Sequence, residues 1–333
     1  DGQCVDMPTE ADDSTFKDKV RIVAYPVREE AGILWTYMGP ADLEPKHLPG
    51  FEWMRVPESH RYVSWSHQET NYQQAVEGGI DSAHSNFLHS TLDAYHRTEA
   101  WKAEGERSKN LRDMYHARDQ HPKFFAQDTD YGVIIGARRD TGEDMFYWRY
   151  NLFLLPFYSM PPSSPKQKFF HAWTPIDDHN CQRWTFVWNL DKPLSASEIE
   201  KWEAGDGLHT AKIPGIAHMN VRNRGNDYLI DRNVQKKLTF TGIGGIGEQD
   251  LAVQEGMGRM TPRHREHLGT TDIGIIKARR RLLAEAAALQ EGIEPTAPES
   301  PEYYSVRATD ALLNPKDSWT DDVKIRELMH TTW

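Results

Sequence analysis

Two histidines and one aspartate within residues 77–89 have residue types and spacing that could form a metal site. His84 and His89 are five residues apart, and Asp81 precedes His84 by three. Chance would supply about 0.7 such histidine pairs in this composition, and about 0.1 once the acid is also required. Neutral imidazoles suit iron, zinc and copper, and two histidines with one carboxylate leave open positions on Fe(II) for dioxygen. A mononuclear iron enzyme with redox chemistry is therefore the leading hypothesis.

The local secondary structure must bring both imidazoles to one metal. On a helix, residues three apart are neighbours, so Asp81 is expected to hydrogen-bond the imidazole of His84 and fix its tautomer. His84 and His89 would lie about 140° apart around an ideal helix and would not face the same ion. A bend, a helix end or long side-chain reach is therefore required, and the pair Gly78 and Gly79 indicates that the segment is not a uniform helix.

Several stretches of the sequence together resemble the oxygenase component of Rieske non-heme iron oxygenases. They are residues 2–10, residues 71–90, residues 226–232, residues 235–242, and residues 247–257, which read Gly-Glu-Gln-Asp-Leu-Ala-Val-Gln-Glu-Gly-Met. Within that family, the chain is most similar to the branch of phthalate 4,5-dioxygenase and 5,5'-dehydrodivanillate O-demethylase. The resemblance covers nearly the whole chain.

Carried over position by position, the resemblance implies that His84, His89 and Asp250 bind a mononuclear Fe(II). It also implies that Asp81 bridges His84 to a cluster-binding histidine of a neighbouring subunit. Electrons would pass through that contact, which implies a homotrimer or a hexamer of stacked trimers.

The choice of Asp250 rests on local resemblance, and Glu248 and Glu255 are its nearest rivals. Residues 242–247 match the dinucleotide-binding pattern Gly-x-Gly-x-x-Gly, but they do not lie in a βαβ unit with a suitably placed acid downstream. We therefore predict that these glycines form a flexible loop that delivers Asp250 to the site.

The resemblance also implies a reaction. Electrons from NADH would arrive through a reductase and a Rieske [2Fe–2S] cluster, and O2 would be activated when an aromatic substrate is bound. The outcome would be ring cis-dihydroxylation or oxidative O-demethylation. Two alternatives come from other classes: a zinc-dependent hydrolase that uses the same three ligands, and a non-catalytic assembly subunit. Oxygen consumption would distinguish the hydrolase, and a silent subunit would not need three intact ligands.

Substrates of the resembled branch carry carboxylates, so the pocket is expected to contain an arginine for bidentate recognition. Arg149, within an aromatic strand pattern, is our first candidate. The alternative for Arg149 is an ordinary solvent-facing position on a strand. Arg112 and Lys109 are second candidates.

The sequence departs from the family pattern in its cysteines. A Rieske cluster needs two cysteines and two histidines in paired motifs, whereas this chain has only Cys4 and Cys181, with no Cys-x-His or Cys-x-x-His. We therefore predict that the chain is the C-terminal portion of a longer subunit. Residues 1–45 would be the end of a Rieske domain, with its last strands in residues 20–37, and residues 46–333 would be the catalytic domain.

Strand-like patterns rich in aromatic residues predict an α+β fold with an antiparallel sheet. They lie in residues 61–66, 131–137, 146–155, 169–174 and 181–189. The resemblance sharpens this to a helix-grip catalytic domain, in which sheet and helices enclose a substrate pocket. Residues 275–290 have the pattern of a helix, and the charged residues 99–123 are predicted to form exposed loops.

Composition narrows the partners and the location. The net charge of −11 argues against nucleic acid or an anionic membrane surface as a partner. No apolar run reaches membrane-spanning length. Two isolated cysteines indicate a reducing compartment without structural disulfides. The cytoplasm is therefore the predicted location.

Overall fold

The chain folds into two compact units, Asp1–Leu48 and Pro49–Trp333. The structure is a computed structural model that describes residues 1–96, 98–108, 110–163, 166–297 and 300–331. We predicted a domain boundary after residue 45; the assignment of the first unit to a Rieske domain stays a prediction. Within the described residues, no helix is long and apolar enough to cross a membrane.

The first unit contains one short hairpin, in which β1 (Val27–Glu30) pairs antiparallel with β2 (Ile33–Thr36). Residues 22–26 also have a strand-like pattern, but no ladder joins them to another strand within the described part of the chain. Pro26 has no N–H to donate to such a ladder. The strand prediction for residues 20–37 is therefore right for β1 and β2 and wrong for the residues before them.

The second unit is built on an eight-stranded antiparallel sheet in the order β3-β9-β8-β7-β6-β5-β4, with β12 beside β6. A separate short hairpin joins β10 to β11. The predicted α+β fold with an antiparallel sheet is confirmed. The strands are β3 (Arg61–Gln68), β4 (Lys123–Thr129), β5 (Gly132–Asp140), β6 (Phe146–Leu154), β7 (Tyr158–Met160), β8 (Gln167–Asp177), β9 (Asn180–Asn189), β10 (Lys212–Ile213), β11 (Ile216–Asn220) and β12 (Thr309–Leu313).

Several helices pack against strands of this sheet. The longest of the described helices, α8, packs on β4 and β5, as the helix-grip prediction requires, and it begins two residues before the predicted start. The helices are α1 (Tyr72–Ile80), α2 (Leu92–Tyr95), α3 (Glu99–Arg107), α4 (Leu111–Arg118), α5 (Ala196–Glu203), α6 (Arg232–Lys237), α7 (Ile246–Gly256), α8 (Ile273–Gln290) and α9 (Val323–Met329).

The prediction of exposed loops for residues 99–123 is wrong, because most of this segment forms α3 and α4. The side-chain oxygens of Thr98 and Asn110 accept backbone N–H groups and cap the first turns of the two helices. A Cβ on Gly105 would collide with the side chain of Ala117, so this glycine permits close packing of α3 on α4. The many charged residues concealed a helical pattern that these caps would have indicated.

Helix α1 joins the hydrophobic core to the candidate site. Its buried residues Ala75, Val76 and Ile80 pack in one cluster with Trp173 of β8 and Ala278 of α8. Because the helix that precedes the candidate histidines is embedded in the core, the point at which it ends is firmly placed.

The two glycines of α1 do not interrupt it, contrary to our expectation. A Cβ on Gly79 would collide with the Ser159 hydroxyl on β7, and a Cβ on Gly78 would collide with the side chain of Gln254 on α7. The glycines therefore let α1 approach the sheet and α7 closely. The segment is not a uniform helix, as predicted, because α1 ends at Ile80.

Candidate metal centre

The end of α1 and the turn after it position both candidate histidines. Asp81 leaves the helix with an extended backbone, at φ −76° and ψ 112°. Its carboxylate then accepts the backbone N–H groups of Ala83 at 2.7 Å and His84 at 3.2 Å. A short 3-10 turn over His84–Asn86 follows. We predicted a break between His84 and His89, but α1 already ends at Ile80, before both histidines, and the turn that follows removes the angular conflict of an ideal helix.

His84, His89 and Asp250 come together in a compact triangle. The two Nε2 atoms of the histidines lie 3.1 Å apart. The Asp250 Oδ1 atom lies 3.1 Å from His89 Nε2 and 3.7 Å from His84 Nε2. Two ligand atoms that each lie about 2.1 Å from one metal, at roughly 90° to each other, are separated by about 3 Å. The triangle therefore has the dimensions that one metal ion requires, and its 2-His-1-carboxylate donor set suits Fe(II).

Asp250 lies on a helix rather than on the flexible loop that we predicted. Helix α7 begins at Ile246, directly after the glycine-rich stretch, and carries Asp250 in its second turn. Gly245 has a positive φ of 78°, and a Cβ there would collide with the backbone oxygen of Gly205. Gly245 is thus needed for a tight turn into α7, and the helix holds Asp250 in place.

The two rival acids point away from the triangle. Glu248 accepts the backbone N–H of Ala211 through Oε1 at 2.9 Å. Glu255 accepts the backbone N–H of Glu69 at 2.8 Å and the Tyr228 hydroxyl at 2.7 Å. Both carboxylates therefore have structural partners outside the site.

The remaining nitrogens of the two histidines differ in their surroundings. His89 Nδ1 lies 2.7 Å from the Gln249 side-chain oxygen, so it donates a proton there and leaves Nε2 free to bind a metal. His84 Nδ1 lies 3.5 Å from Asp81 Oδ2, which is longer than an ordinary hydrogen bond, and it has no hydrogen-bond partner within the described residues. The predicted contact of Asp81 with the His84 imidazole is therefore present at this longer distance, and the Asp81 oxygens also accept the two backbone N–H groups.

The charges at the triangle favour a cation. Burial alone would lower the pKa of His84, but the Asp81 and Asp250 carboxylates raise it above its ordinary value. Burial alone would raise the pKa of Asp250, but His89 and His84 lower it below its ordinary value. Each histidine thus interacts favourably with negative charge, which is the electrostatic environment that a bound metal ion would meet.

Among the described residues, His84, His89 and Asp250 are the one group of three or more His, Cys, Asp or Glu side chains placed to share a metal. The cysteines do not form a Rieske cluster site. Cys181 lies fully buried in the core of the second unit, where burial raises the pKa of its thiol to about 12. Cys4 belongs to the first unit. The residues of this chain therefore do not fit a [2Fe–2S] cluster.

The triangle opens into a chamber of about 400 Å³. One wall comes from alternate residues of β6 and β8, whose side chains share a face because a strand repeats every two residues. The chamber is lined by both apolar and polar side chains. Lining residues include Arg112, Arg149, Asn151, Phe169, His171, Trp173, Leu208 and Ile246.

Arg149 faces this chamber and is buried, with 8% of its surface exposed. The alternative of a solvent-facing strand arginine is therefore wrong. Its Nη1 atom lies 3.1 Å from His116 Nε2, and its Nη2 atom donates to the Pro162 carbonyl at 3.1 Å. Within the described residues it forms no ion pair with a carboxylate. Burial, together with the positive charge of Arg112, lowers the pKa of Arg149 to about 10.

The structure gives the other candidates different positions. Arg112 is an exposed residue of α4 that also lines the chamber. Lys109 lies outside the described residues. His116, His171 and Gln249 contact the site or its arginine, and none of them was predicted from the sequence. For His171, the alternation Phe169, His171, Trp173 on one strand was an available signal.

Comparisons with known proteins give this chain a family and several relatives. Residues 36–329 match the family model described as LigXa C-terminal domain like. The 3-chlorobenzoate-3,4-dioxygenase oxygenase subunit of Comamonas testosteroni is 29% identical over 92% of this chain and 72% of its own length. The phthalate 4,5-dioxygenase oxygenase subunit of Pseudomonas putida is 32% identical over 88% of this chain and 65% of its own length.

A solved structure supports the fold. The crystal structure of dicamba monooxygenase bound to dicamba superposes with a TM-score of 0.50, at 14% identity, over 87% of this chain and 77% of that one. The chain spans 65% of the phthalate 4,5-dioxygenase subunit, so it corresponds to part of that relative's length. The predicted resemblance to oxygenase components of this class is confirmed.

Proposed function

The chain belongs to the LigXa C-terminal domain-like family of Rieske oxygenase components, and we propose that it activates O2 to oxidise a carboxylated aromatic substrate. A mononuclear Fe(II) is proposed to be bound by His84, His89 and Asp250. One observation carries the proposal: the three ligand atoms border the same chamber as Arg149, a buried arginine that has no carboxylate partner among the residues that the structure describes.

When bound, Fe(II) would supply open coordination positions for O2 activation. The chain's own residues hold and orient the ligands. Gln249 accepts from His89 Nδ1 and thereby fixes the tautomer whose Nε2 faces the metal. Asp81 fixes the turn that presents His84. Trp173 lines the chamber as an apolar wall that excludes water and can pack against an aromatic ring.

Arg149 is the proposed carboxylate-binding residue. Its guanidinium can form two parallel hydrogen bonds with a carboxylate, and burial strengthens such a charge-assisted contact. Arg112 adds positive charge on the same side, and Lys109 remains a candidate from the sequence alone. The relatives are named for 3-chlorobenzoate and phthalate, which are aromatic carboxylates. Ring dihydroxylation and O-demethylation both remain compatible with this pocket.

The electron route is proposed from the family resemblance. Electrons would come from NADH through a reductase and a Rieske [2Fe–2S] cluster whose ligands are not among the residues of this chain. Asp81 would contact a histidine of a neighbouring subunit in a homotrimer or hexamer. Residues 1–45 would be the end of a Rieske domain and residues 46–333 the catalytic domain, and the division of the chain after Leu48 supports this boundary.

Oxygen consumption tests the proposal. The anaerobically purified chain is loaded with Fe(II), supplied with ascorbate as electron donor, and exposed to air-saturated buffer with and without phthalate or benzoate. We expect O2 uptake that depends on iron and increases with the aromatic carboxylate, together with an oxygenated product detected by mass spectrometry. Hydrolysis of an aromatic ester with zinc bound, and without O2 uptake, would support the hydrolase instead and contradict the proposal.

A further inference from the structure

His116 of α4 is the only described side chain that contacts the guanidinium of Arg149 by a hydrogen bond. It lines a second cavity of about 760 Å³, which shares His89, Ser85 and Arg112 with the metal chamber. Its Nε2 atom lies 3.1 Å from Arg149 Nη1. His116 therefore lies directly behind the arginine that we propose as the carboxylate-binding residue.

The chemistry of this contact fixes the form of the imidazole. A guanidinium only donates hydrogen bonds, so His116 Nε2 must be the acceptor and carry no proton. Burial, followed by the positive charges of Arg139, Arg149 and Arg112, lowers the pKa of His116 and keeps it neutral. Asp310 and Asp113 raise the pKa of Arg149 through their charge, and within the described residues neither forms an ion pair with it.

The second contact of Arg149 is also with a neutral group, the carbonyl of Pro162 at 3.1 Å. The neighbouring Arg139 also has neutral hydrogen-bond acceptors. It is 1% exposed and donates to the Asp119 carbonyl at 3.0 Å and to the Asn86 side-chain oxygen at 3.2 Å. Arg139 lies on β5 beside β6, where Ala137 pairs with Arg149. Two buried arginines thus share one face of the sheet, and neutral acceptors hold both.

Neutral acceptors have a consequence that carboxylates would not have. A glutamate behind Arg149 would orient the guanidinium equally well, but it would cancel the positive charge that attracts a substrate anion. An imidazole or a carbonyl fixes the orientation and leaves the charge uncompensated. Fixing the guanidinium in advance also reduces the entropy lost when the carboxylate binds.

We propose that His116 is a positioning residue that orients Arg149 for the carboxylate of the substrate while leaving the positive charge of the pocket intact. This inference rests on the proposed function, because it requires that Arg149 binds the carboxylate. Replacing His116 should therefore weaken the binding of an anionic ligand and leave unchanged the binding of a neutral ligand of the same shape.

Calorimetric titration of the full, Fe(II)-loaded chain under anaerobic conditions tests this claim with benzoate and with benzamide, its neutral analogue. We expect His116→Leu to weaken benzoate binding about tenfold, or about 1.4 kcal/mol, with no change for benzamide. His116→Gln should stay within about twofold of the original chain, because its side-chain oxygen can accept from Arg149. His116→Glu should abolish benzoate binding. His267→Leu, at an exposed histidine, is the matched control.

Two outcomes overturn the inference. In the first, His116→Leu and His116→Gln behave alike; in the second, benzoate and benzamide are weakened equally, as a purely structural defect would require. Arg149→Gln separates this inference from the proposed function. If Arg149→Gln leaves benzoate affinity unchanged, or the original chain does not bind benzoate, the carboxylate assignment itself fails. If Arg149→Gln weakens benzoate and His116→Leu does not, the role of His116 alone is refuted.

Discussion

His84 and His116 lie on neighbouring cavities of the same unit, yet their surroundings carry opposite charges. His84 lies close to Asp81 and Asp250, whose carboxylates raise its pKa despite burial. His116 is partly buried beside arginines, and burial and these charges lower its pKa. The surroundings of His84 therefore favour a cation, whereas those of His116 disfavour a proton on its imidazole.

The difference shows how one residue type serves two purposes in adjacent cavities. Beside His84, the Asp81 and Asp250 carboxylates supply negative charge, so the site suits a metal ion. Near Arg149, arginines have neutral hydrogen-bond partners, so the site suits an anion. The proposed metal ion and the proposed carboxylated substrate would need such adjoining regions of opposite charge. The following predictions test whether the contrast is real.

Loss of the metal is the largest effect that we expect. Asp250→Ala should abolish high-affinity metal binding, because it removes one of three ligands from the triangle. The matched variants Glu248→Gln and Glu255→Gln should retain it, because both carboxylates bond elsewhere. Isothermal titration of the apo chains with Fe(II) under anaerobic conditions measures the affinities. Retention in Asp250→Ala, with loss in either glutamate variant, would transfer the ligand role to that glutamate.

Arg149→Gln tests the anion side of the contrast. We expect benzoate affinity to fall about 10- to 100-fold, which corresponds to about 1.4–2.8 kcal/mol for a charge-assisted contact. Iron content should not change, because Arg149 is not part of the triangle. Benzoate titration and metal analysis of the same sample measure both quantities. An unchanged apparent affinity would remove Arg149 from the substrate site.

Asp81→Asn tests whether the negative charge beside His84 contributes to metal binding. The asparagine oxygen can still accept a backbone N–H, so the turn before His84 should persist. The negative charge beside His84 is lost, and we expect metal affinity to fall about tenfold, as is typical for partners of metal ligands. Competition with a coloured chelator measures this change. A fall as large as that of Asp250→Ala would instead indicate that Asp81 binds the metal directly.

The smallest effect concerns pH and the buried neutral histidines. Burial, followed by the charge of Arg183, lowers the pKa of His171 to about 3, whereas the unfolded chain binds this proton near pH 6.5. Below that pH the unfolded state binds more protons, so the free energy of unfolding falls on acidification. Between pH 6.5 and 5.5, we expect the free energy of unfolding of His171→Gln to fall by about 1 kcal/mol less than that of the original chain.

Urea unfolding at the two pH values measures this difference, and His267→Gln provides a control at an exposed histidine. Equal pH dependence in His171→Gln and in the original chain would show that His171 is protonated in the folded state. His171 would then no longer count among the histidines that the fold keeps neutral.

The residues that the sequence indicated best are those with local spacing or a family motif. His84, His89 and Asp250 meet in space, as predicted, and the strands with aromatic patterns form the sheet. What the sequence could not indicate depends on contacts between distant elements. His116 and Arg149 lie 33 positions apart, on a helix and a strand whose packing no local pattern encodes.

Two mistakes have a common physical origin. Glycines were interpreted as flexibility, but in α1 and before α7 they permit close packing and a tight turn. Charged residues were interpreted as loops, but α3 and α4 are helices capped by Thr98 and Asn110. In both cases a residue type was interpreted by itself. Tertiary contacts decide the role of the glycines, and local caps indicate the two helices.

Metal content of the anaerobically purified chain, measured beside that of His84→Ala, tests the central claim most directly. We predict about one iron per original chain and almost none in the variant, with unchanged thermal unfolding of the apo proteins. Zinc retained by the original chain after purification in iron-supplemented medium, and not displaced by added Fe(II), would contradict an iron site. Equal iron content in the two proteins would show that His84 is not a ligand.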